Sequence, residues 1–524
     1  MRRRLFRPLL LFAASSAAVL LPAGSALALS YPVTSTADTA GKGTLRASIV
    51  EANERAGADS IPIEVTGTIK LESALPPVGD DLTIAGPGAG SLTVARSASA
   101  PFFGILQFFG ATSTVSGLTV RGGVAPTGAG ILNGSGDLTL VHVVVTGNQA
   151  ATEGAGTLAS AGGIFSNGSL TLRESSVSGN SATTNDSELN VAGGGGVESE
   201  GSLLVERSTI SGNLVQVSGG GGKTAEAFGG GLAIAGGIAT IEESTISGNT
   251  VIAEDATENT IARGGGVQGS GLTITGTTIA GNAASIDESG AAIHNVAGDN
   301  LAVGGLVRNS LVAEPRGEGD NCANSLLSGG FNLDEDGSCG FGKSSDLVDV
   351  VAGLDPVLRD NGGPTPTHAL LPGSIAIDRG NSFGGGVDQR GLPRPSDFAD
   401  VGNKEGGDGS DIGAFELQVP PATAGGPILI SETPGDSTAP NTRIVSGPPR
   451  NTFKRLAKFR FASTEAQSHF QCKLDKKKWK ACGNPFKRSV KPGKHLFRVR
   501  AIDRFGNVDK SPARFGWRVK PIGR

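Results

Sequence analysis

Residues 32–437 contain neither Trp nor Tyr, and the 524-residue chain holds only two Trp and one Tyr in all. Such rings form the platforms of many carbohydrate clefts, so their absence counts against a sugar-cleaving site in that region. Histidine is nearly as scarce, with five in the chain. His142 reads as lying inside a strand, His294 beside a corner and His368 within a structural turn, and none has the company of a general base. Neither Gly-His-Gly nor Arg-x-Lys occurs between residues 29 and 417. Past the N-terminus no apolar run reaches 18 residues, so no transmembrane span is expected in the mature chain. Four Cys remain, as the close pairs Cys322 with Cys339 and Cys472 with Cys482. Lacking CxxC spacing and His neighbours, they read as two local disulfides of an exported chain, not as a metal site.

Export is expected from the first 28 residues. Arg2, Arg3, Arg4 and Arg7 precede the apolar run Leu9–Leu21, and Ala26-Leu27-Ala28 offers a small-x-small cleavage site. The expected location is extracellular or cell-surface.

Gly is abundant, with 82 residues, and much of it falls in a repeat. Five phrases end in Gly-Asn, at Asn148, Asn180, Asn213, Asn249 and Asn282, spaced 32, 33, 36 and 33 residues apart. Each follows a Gly-aliphatic pair: Gly130-Ile131, Gly163-Ile164, Gly196-Val197, Gly231-Leu232 and Gly266-Val267. A fixed period of this size identifies a solenoid. Its apolar stretches are short, alternating and rich in Val, Ile and Thr, which specifies strands. Three strands per unit make one turn of a parallel β-helix, with the Asn residues laddered at a left-handed corner and the stretch after each Asn leaving the stack as a loop. A right-handed solenoid is expected from the general rule for parallel crossovers together with the resemblance given below. The expected fold is therefore all-β, a right-handed parallel β-helix over residues 29–299.

Both ends carry recognisable patterns. Gly43-Thr-Leu-Arg-Ala-Ser-Ile-Val-Glu-Ala-Asn53 reads as the one helix, with Thr44 as its cap and Leu45, Ile49 and Ala52 on one face, covering the first edge of the sheets. The segment resembles the CSLREA domain that begins bacterial surface β-helix proteins, although Gly43 replaces the family's cysteine. Asp355-Pro-Val-Leu, Asp360-Asn-Gly-Gly-Pro-Thr-Pro-Thr-His-Ala-Leu-Leu-Pro-Gly-Ser374, Ala376-Ile-Asp378, Asp388-Gln-Arg-Gly-Leu-Pro-Arg-Pro395 and Asp411-Ile-Gly-Ala-Phe-Glu416 resemble the choice-of-anchor Q region, over about residues 300–417. That likeness implies a surface location and the end of a β-helix; it implies no reaction. Residues 418–437 form a Pro- and Gly-containing linker. Residues 438–524 alternate apolar and polar positions and resemble the bacterial Ig-like modules that end secreted proteins, a small antiparallel β-sandwich.

Charge divides the chain sharply. Residues 438–524 hold 23 Lys or Arg against 4 Asp or Glu, a balance of +19, whereas residues 29–437 hold 18 against 45, a balance of −27. Lys473, Lys476, Lys477, Lys478 and Lys480 crowd one hairpin. The expected partner is an anionic cell-wall polymer or extracellular glycan; the competing reading is a solvated face leaning on the acidic solenoid. No stacking motif points to nucleic acid.

Catalytic and cofactor assignments do not emerge. Asn332-Leu-Asp334-Glu-Asp336-Gly337 imitates the start of a calcium loop, but Lys343 stands at the twelfth position, where a bidentate Glu belongs, so only incidental calcium is expected. Asp378, Asp388, Asp411 and Arg390 read as a buried charge cluster tying down the last coils. The expected function is a monomeric, secreted or cell-surface scaffold of adhesin-like type. The alternative is a polysaccharide lyase or glycoside hydrolase acting on acidic polysaccharides, which needs convergent carboxylates on one coil face.

Overall fold

The computed structural model describes residues 28–419 and 439–521, apart from 152–157, 185–189, 219–223, 255, 257–258, 287–292, 318, 372, 465–467, 483–485 and 503–506. The leader lies outside the described residues, as do Asp186, Glu188, Asp255, Asp287, Glu288 and nearly all of the linker. The rest is a parallel β-helix followed by a small, mainly antiparallel sandwich.

One coil illustrates the helix. From Ile164 the chain forms Ile164–Ser166 and Ser169–Arg173, turns at Glu174, forms Ser176–Ser178, and turns at Gly179. It then forms Ser181–Thr184 and Asn190–Gly193 before Gly194 turns it into the next coil. Each strand pairs in parallel with its counterpart one coil on: Ile164 with Val197, Leu170 with Leu203, Val177 with Ile210, Ala182 with Val215 and Val191 with Glu226. The coils stack into parallel sheets of 13, 11, 6 and 5 strands. Because the register is fixed, the inward Ile164, Leu170, Leu172 and Val177 continue the columns of their neighbours and are buried.

The stretch after each Asn is not a loop. It supplies the six- and five-stranded sheets, which form a second lobe with its own core. Ala150, Ala182, Val215, Val251 and Ala284 stack from one side, Ala159, Ala192, Ala227 and Ala262 from the other, and all are buried. Alanine brings little apolar surface, so this alternation is faint in the sequence. The core between the two sheets is built of Ala and Val, with Ile286 packed against it.

Corners explain the recurring Gly-Asn. Gly147, Gly179, Gly212, Gly248 and Gly281 carry the left-handed backbone, with φ between 61° and 69°. The Asn that follows supplies only hydrogen bonds, which corrects its expected left-handed role. His142, Glu174, Arg207, Glu243 and Asn309 occupy a second left-handed corner, with φ between 45° and 52°. His142 therefore sits just past its strand, at a turn.

Helix Leu45–Asn53 buries Leu45, Ile49 and Ala52 in the main core, and Thr44 Oγ1 accepts from Ala47 N at 3.3 Å. At the other end the stack runs on through Leu301–Arg308, Leu311–Ala313 and Leu333–Asp334 to Leu347–Val348. The chain then doubles back along the outside of the eleven-stranded sheet. Thr209, Thr245 and Thr278 occupy matching positions in successive coils. Their hydroxyls meet Pro366 O at 2.6 Å, Gln389 Oε1 at 2.6 Å and Ala414 N at 3.0 Å.

The C-terminal sandwich packs a three-stranded sheet against a five-stranded one. Phe459 stacks on Phe497 at 4.1 Å between ring centres, and Phe461, Leu474, Val499 and Trp517 fill the same core. Both expected disulfides are formed, Cys322–Cys339 and Cys472–Cys482. No described helix is long and apolar enough to cross a membrane.

Candidate polyanion-binding face

Strands His469–Leu474, Gly493–Ile502 and Ala513–Val519 lie side by side in the five-stranded sheet. Phe497, Val499, Trp517 and Val519 point into the sandwich, so the alternate residues face outward. Lys473 is directly opposite Arg498, and Arg498 opposite Arg514. Lys494 is opposite Arg518, and Gln471 opposite Arg500. These three strands contain no Asp or Glu. Like charges placed directly across strands destabilise a sheet. A face built this way is costly to the fold.

An aromatic completes the face. Trp479 lies 4.6 Å from the Arg500 guanidinium and 5.9 Å from Lys473 Nζ. Gln471 Oε1 accepts from Arg500 Nε at 3.0 Å and Nη2 at 2.7 Å, which fixes that guanidinium over the ring. On the other side of the same strand, against Trp517, His495 Nδ1 is 3.0 Å from Asp475 Oδ2. Partial burial works to lower the His495 pKa, but the Asp475 and Lys491 carbonyl contacts outweigh it and raise the group above its ordinary value.

The hairpin lysines are only part of this surface. Lys476, Lys477, Lys478 and Lys480 are exposed around the turn, whereas Lys473 joins the sheet face. The sequence reading missed Lys494, Arg498, Arg500, Arg514 and Arg518. The period-2 alternation of those strands carried the signal, since all five fall on the positions that alternate with the buried Phe497, Val499, Trp517 and Val519.

The opposite, three-stranded sheet meets the acidic end of the solenoid. Arg460 lies 3.3 Å from Asp336 and 3.7 Å from Glu335, and Lys458 lies 3.3 Å from Asp320. Leaning on the solenoid and presenting a free basic face are thus the work of different sheets.

The five Asn form an unbroken ladder, Nδ2 to the next Oδ1 at 2.9, 3.0, 2.9 and 2.9 Å. It continues through Asn300 and Asn321 at 2.7 and 2.8 Å and ends on Asp334 at 2.8 Å. Asp334, Glu335 and Asp336 therefore do not converge as the calcium-like motif implied. Asp334 ends the ladder and binds Cys339 N, Glu335 binds Ala352 N, and Asp336 binds Ser338. Among the described residues no three His, Cys, Asp or Glu are grouped to hold a metal.

Asp388 binds Arg390 at 2.7 Å, and Asp411 binds Asp378 N at 2.9 Å. Between them, buried Arg394 reaches Glu243 at 2.6 Å and Glu416 at 2.9 Å, pinning the returning chain to a coil corner. Arg394, Glu243 and Glu416 are the members that the sequence reading did not identify.

His368 Nδ1 donates to Asp355 O at 2.7 Å, since a backbone carbonyl can only accept, and burial lowers the pKa of the ring below its ordinary value. Its Nε2 then accepts from Ser247 Oγ at 2.7 Å. The pair has the shape of a nucleophile and base, but Ser247 and His368 are only 6% and 4% exposed and fasten the returning chain to its coil. His142 Nε2 contacts Glu174 Oε2 at 2.5 Å on the surface. His294 lies in strand Ile293–Ala297, and its side chain is outside the description.

No family model matches the chain, and no curated protein matches it. Its class rests on its architecture: an all-β protein with a two-lobed parallel β-helix and a basic Ig-like sandwich.

Proposed function

We propose that this chain is a secreted or cell-surface scaffold of adhesin-like type whose C-terminal module attaches it to an anionic polymer. The observation that carries the reading is the row Lys473, Arg498 and Arg514, three cations abreast on one open sheet face. Cations fixed at strand spacing, about 4.8 Å apart, suit a chain of phosphates or carboxylates. The β-helix supplies a stiff body, and its −27 balance keeps it from competing for the same polymer. The likeness to surface-anchored β-helix proteins supports the same location.

Binding of the full mature chain to purified cell walls and to a poly(glycerol phosphate) polymer tests this, across a series of KCl concentrations. Binding that weakens steeply with salt and is lost in Arg498→Glu with Arg514→Glu supports the reading. Binding that ignores salt, or survives that double substitution, overturns it. Release of new reducing or unsaturated ends from acidic polysaccharides would replace it with the lyase or hydrolase alternative.

A further inference from the structure

Where the five-stranded sheet of the solenoid meets the thirteen-stranded one, the coil surface is concave. The corner is made by left-handed Ala161, Gly194 and Gly229 in successive coils. Around Glu198 it deepens into a cavity of about 210 Å³, whose lining includes Leu158, Ser160, Phe165, Glu198, Glu200 and Phe228. Phe165 and Glu198 are register neighbours on adjacent strands, and Phe228 pairs with Gly193. A Cβ on Gly193 would stand 2.2 Å from the Phe228 ring, so that ring lies flat on bare backbone. Gly128 likewise leaves room for Phe165, whose Cβ is 3.1 Å from the position a Cβ would take there.

The electrostatics of this cavity are one-sided. Glu198 is 9% exposed, and its Oε2 accepts from Ser160 Oγ at 2.5 Å. Burial raises its carboxyl above the usual range against the pull of Ser160, and Glu200 adds to the rise. No Lys, Arg or His among the described residues lines the cavity. A buried carboxylate with a like-charged neighbour is destabilised, and aromatic faces are themselves electron-rich. A cation with an apolar skirt relieves all three at once. A small hydrated metal ion gains nothing from phenyl faces, and a neutral sugar leaves the carboxylate uncompensated.

We propose that the cavity binds an alkylammonium group, either a free aliphatic amine or a lysine-like side chain. The cation sits against Glu198, and its methylenes lie between Phe165, Phe228 and exposed Leu158. The cavity is on the solenoid, away from the basic module, so this reading and the polymer-binding reading stand or fall separately.

Saturation-transfer NMR on the full chain tests it, with n-butylammonium chloride as probe, n-butanol as neutral isostere and an Nα-acetyl-lysine amide arm for the side-chain source. Saturation of the butylammonium methylenes, at least five-fold stronger than for butanol, is the expected result. It falls to the butanol level in Glu198→Gln and in Phe165→Leu and is kept in Glu54→Gln on the surface. Thermal midpoints taken alongside confirm that the variants fold. Equal transfer to butanol, or transfer unchanged in Glu198→Gln, overturns the proposal. Transfer to the lysine amide but not to butylammonium assigns the site to a protein side chain; the reverse assigns it to a free amine.

Discussion

Asn300 offers its amide oxygen to Asn282 Nδ2 at 2.7 Å although only 18 residues separate them. The repeat would have placed the next rung at 315, but Pro315 stands there, after left-handed Glu314. Asn300 enters from the other side of the same corner, from the position that Gly266 occupies one coil earlier. Every rung donates toward the C-terminal end, so the last group has only to accept, and Asp334 does so. Inside the ladder the same carboxylate is wrong. Asn249→Asp sets an oxygen against Ile210 O and Asn282 Oδ1, and Asn249→Ala takes the acceptor from Asn213 N and one of the two acceptors from Asn213 Nδ2, which keeps only Val177 O. Each change should cost about 3 kcal/mol, from orphaned buried groups at roughly 1–3 kcal/mol apiece. Urea unfolding checks it. Equal stability of either variant with wild type would show the ladder to be ornamental.

Two glycines, both in the repeat, should respond very differently to Ala. A Cβ on Gly196 would lie 2.6 Å from Gly231 O and 2.8 Å from Asn213 Nδ2, whereas one on Gly212 meets nothing within 4 Å. Gly196→Ala therefore overpacks the corner, at a cost of about 3 kcal/mol. Gly212→Ala costs only the left-handed penalty, about 1 kcal/mol. Denaturation midpoints of the two single variants give the comparison directly.

This pair of glycines shows what the sequence made visible. Gly-Asn and Gly-aliphatic recur together because one packs against the other, and that period gave the stack, its strand type and its ladder. The second lobe stayed hidden because Ala182 and Ala192 look like loop residues until their neighbours in adjacent coils are known. The return of Thr365, Gln389 and Arg394 onto Arg207, Thr245 and Glu243 joins residues 158, 144 and 151 apart, distances over which no local pattern operates. Lys473 was found because it sits in a run of lysines. Arg498 and Arg514 became its neighbours only through strand pairing.

Stability should decline as pH rises from about 5 to about 8. Burial raises Asp299 to about 7 and Asp378 to about 6; Asp411 rises to about 8, chiefly by burial and then by the charge of Glu416. Asp299 Oδ2 and Asp378 Oδ1 are buried without a hydrogen-bond partner among the described residues. A carboxyl whose folded pKa is raised binds its proton more tightly in the folded chain. Its contribution is complete below its unfolded pKa, near 4, and is lost as pH climbs through the folded value. Asp336, Asp408 and Asp509 are lowered instead; burial opposes the shift, but hydrogen bonds to nearby serines, to backbone N–H groups and to Thr442 outweigh it. Their contribution is present above pH 4 and lost on further acidification. Thermal midpoints should thus peak near pH 4, where the two sets balance, and Asp299→Asn should flatten the alkaline slope. A midpoint that rises from pH 5 to pH 8 contradicts this assignment.

The basic face should show a trade between stability and attachment. Lys473, Arg498 and Arg514 repel one another across three strands, so Arg498→Ser removes two unfavourable pairs. The module should gain stability by at most about 1 kcal/mol while the chain loses affinity for poly(glycerol phosphate). Replacing Lys476, Lys477 and Lys478 together by Ser touches only the exposed turn. That triple variant removes more formal charge, three against one, yet should leave stability unchanged and reduce the logarithmic salt slope more than it changes affinity at fixed low salt. If the polymer is held by charge count alone, the triple variant will bind worse than Arg498→Ser. If it is held by cations fixed on the sheet, the order reverses, because a guanidinium already held in register has less side-chain freedom to lose on binding than a lysine at the tip of a turn.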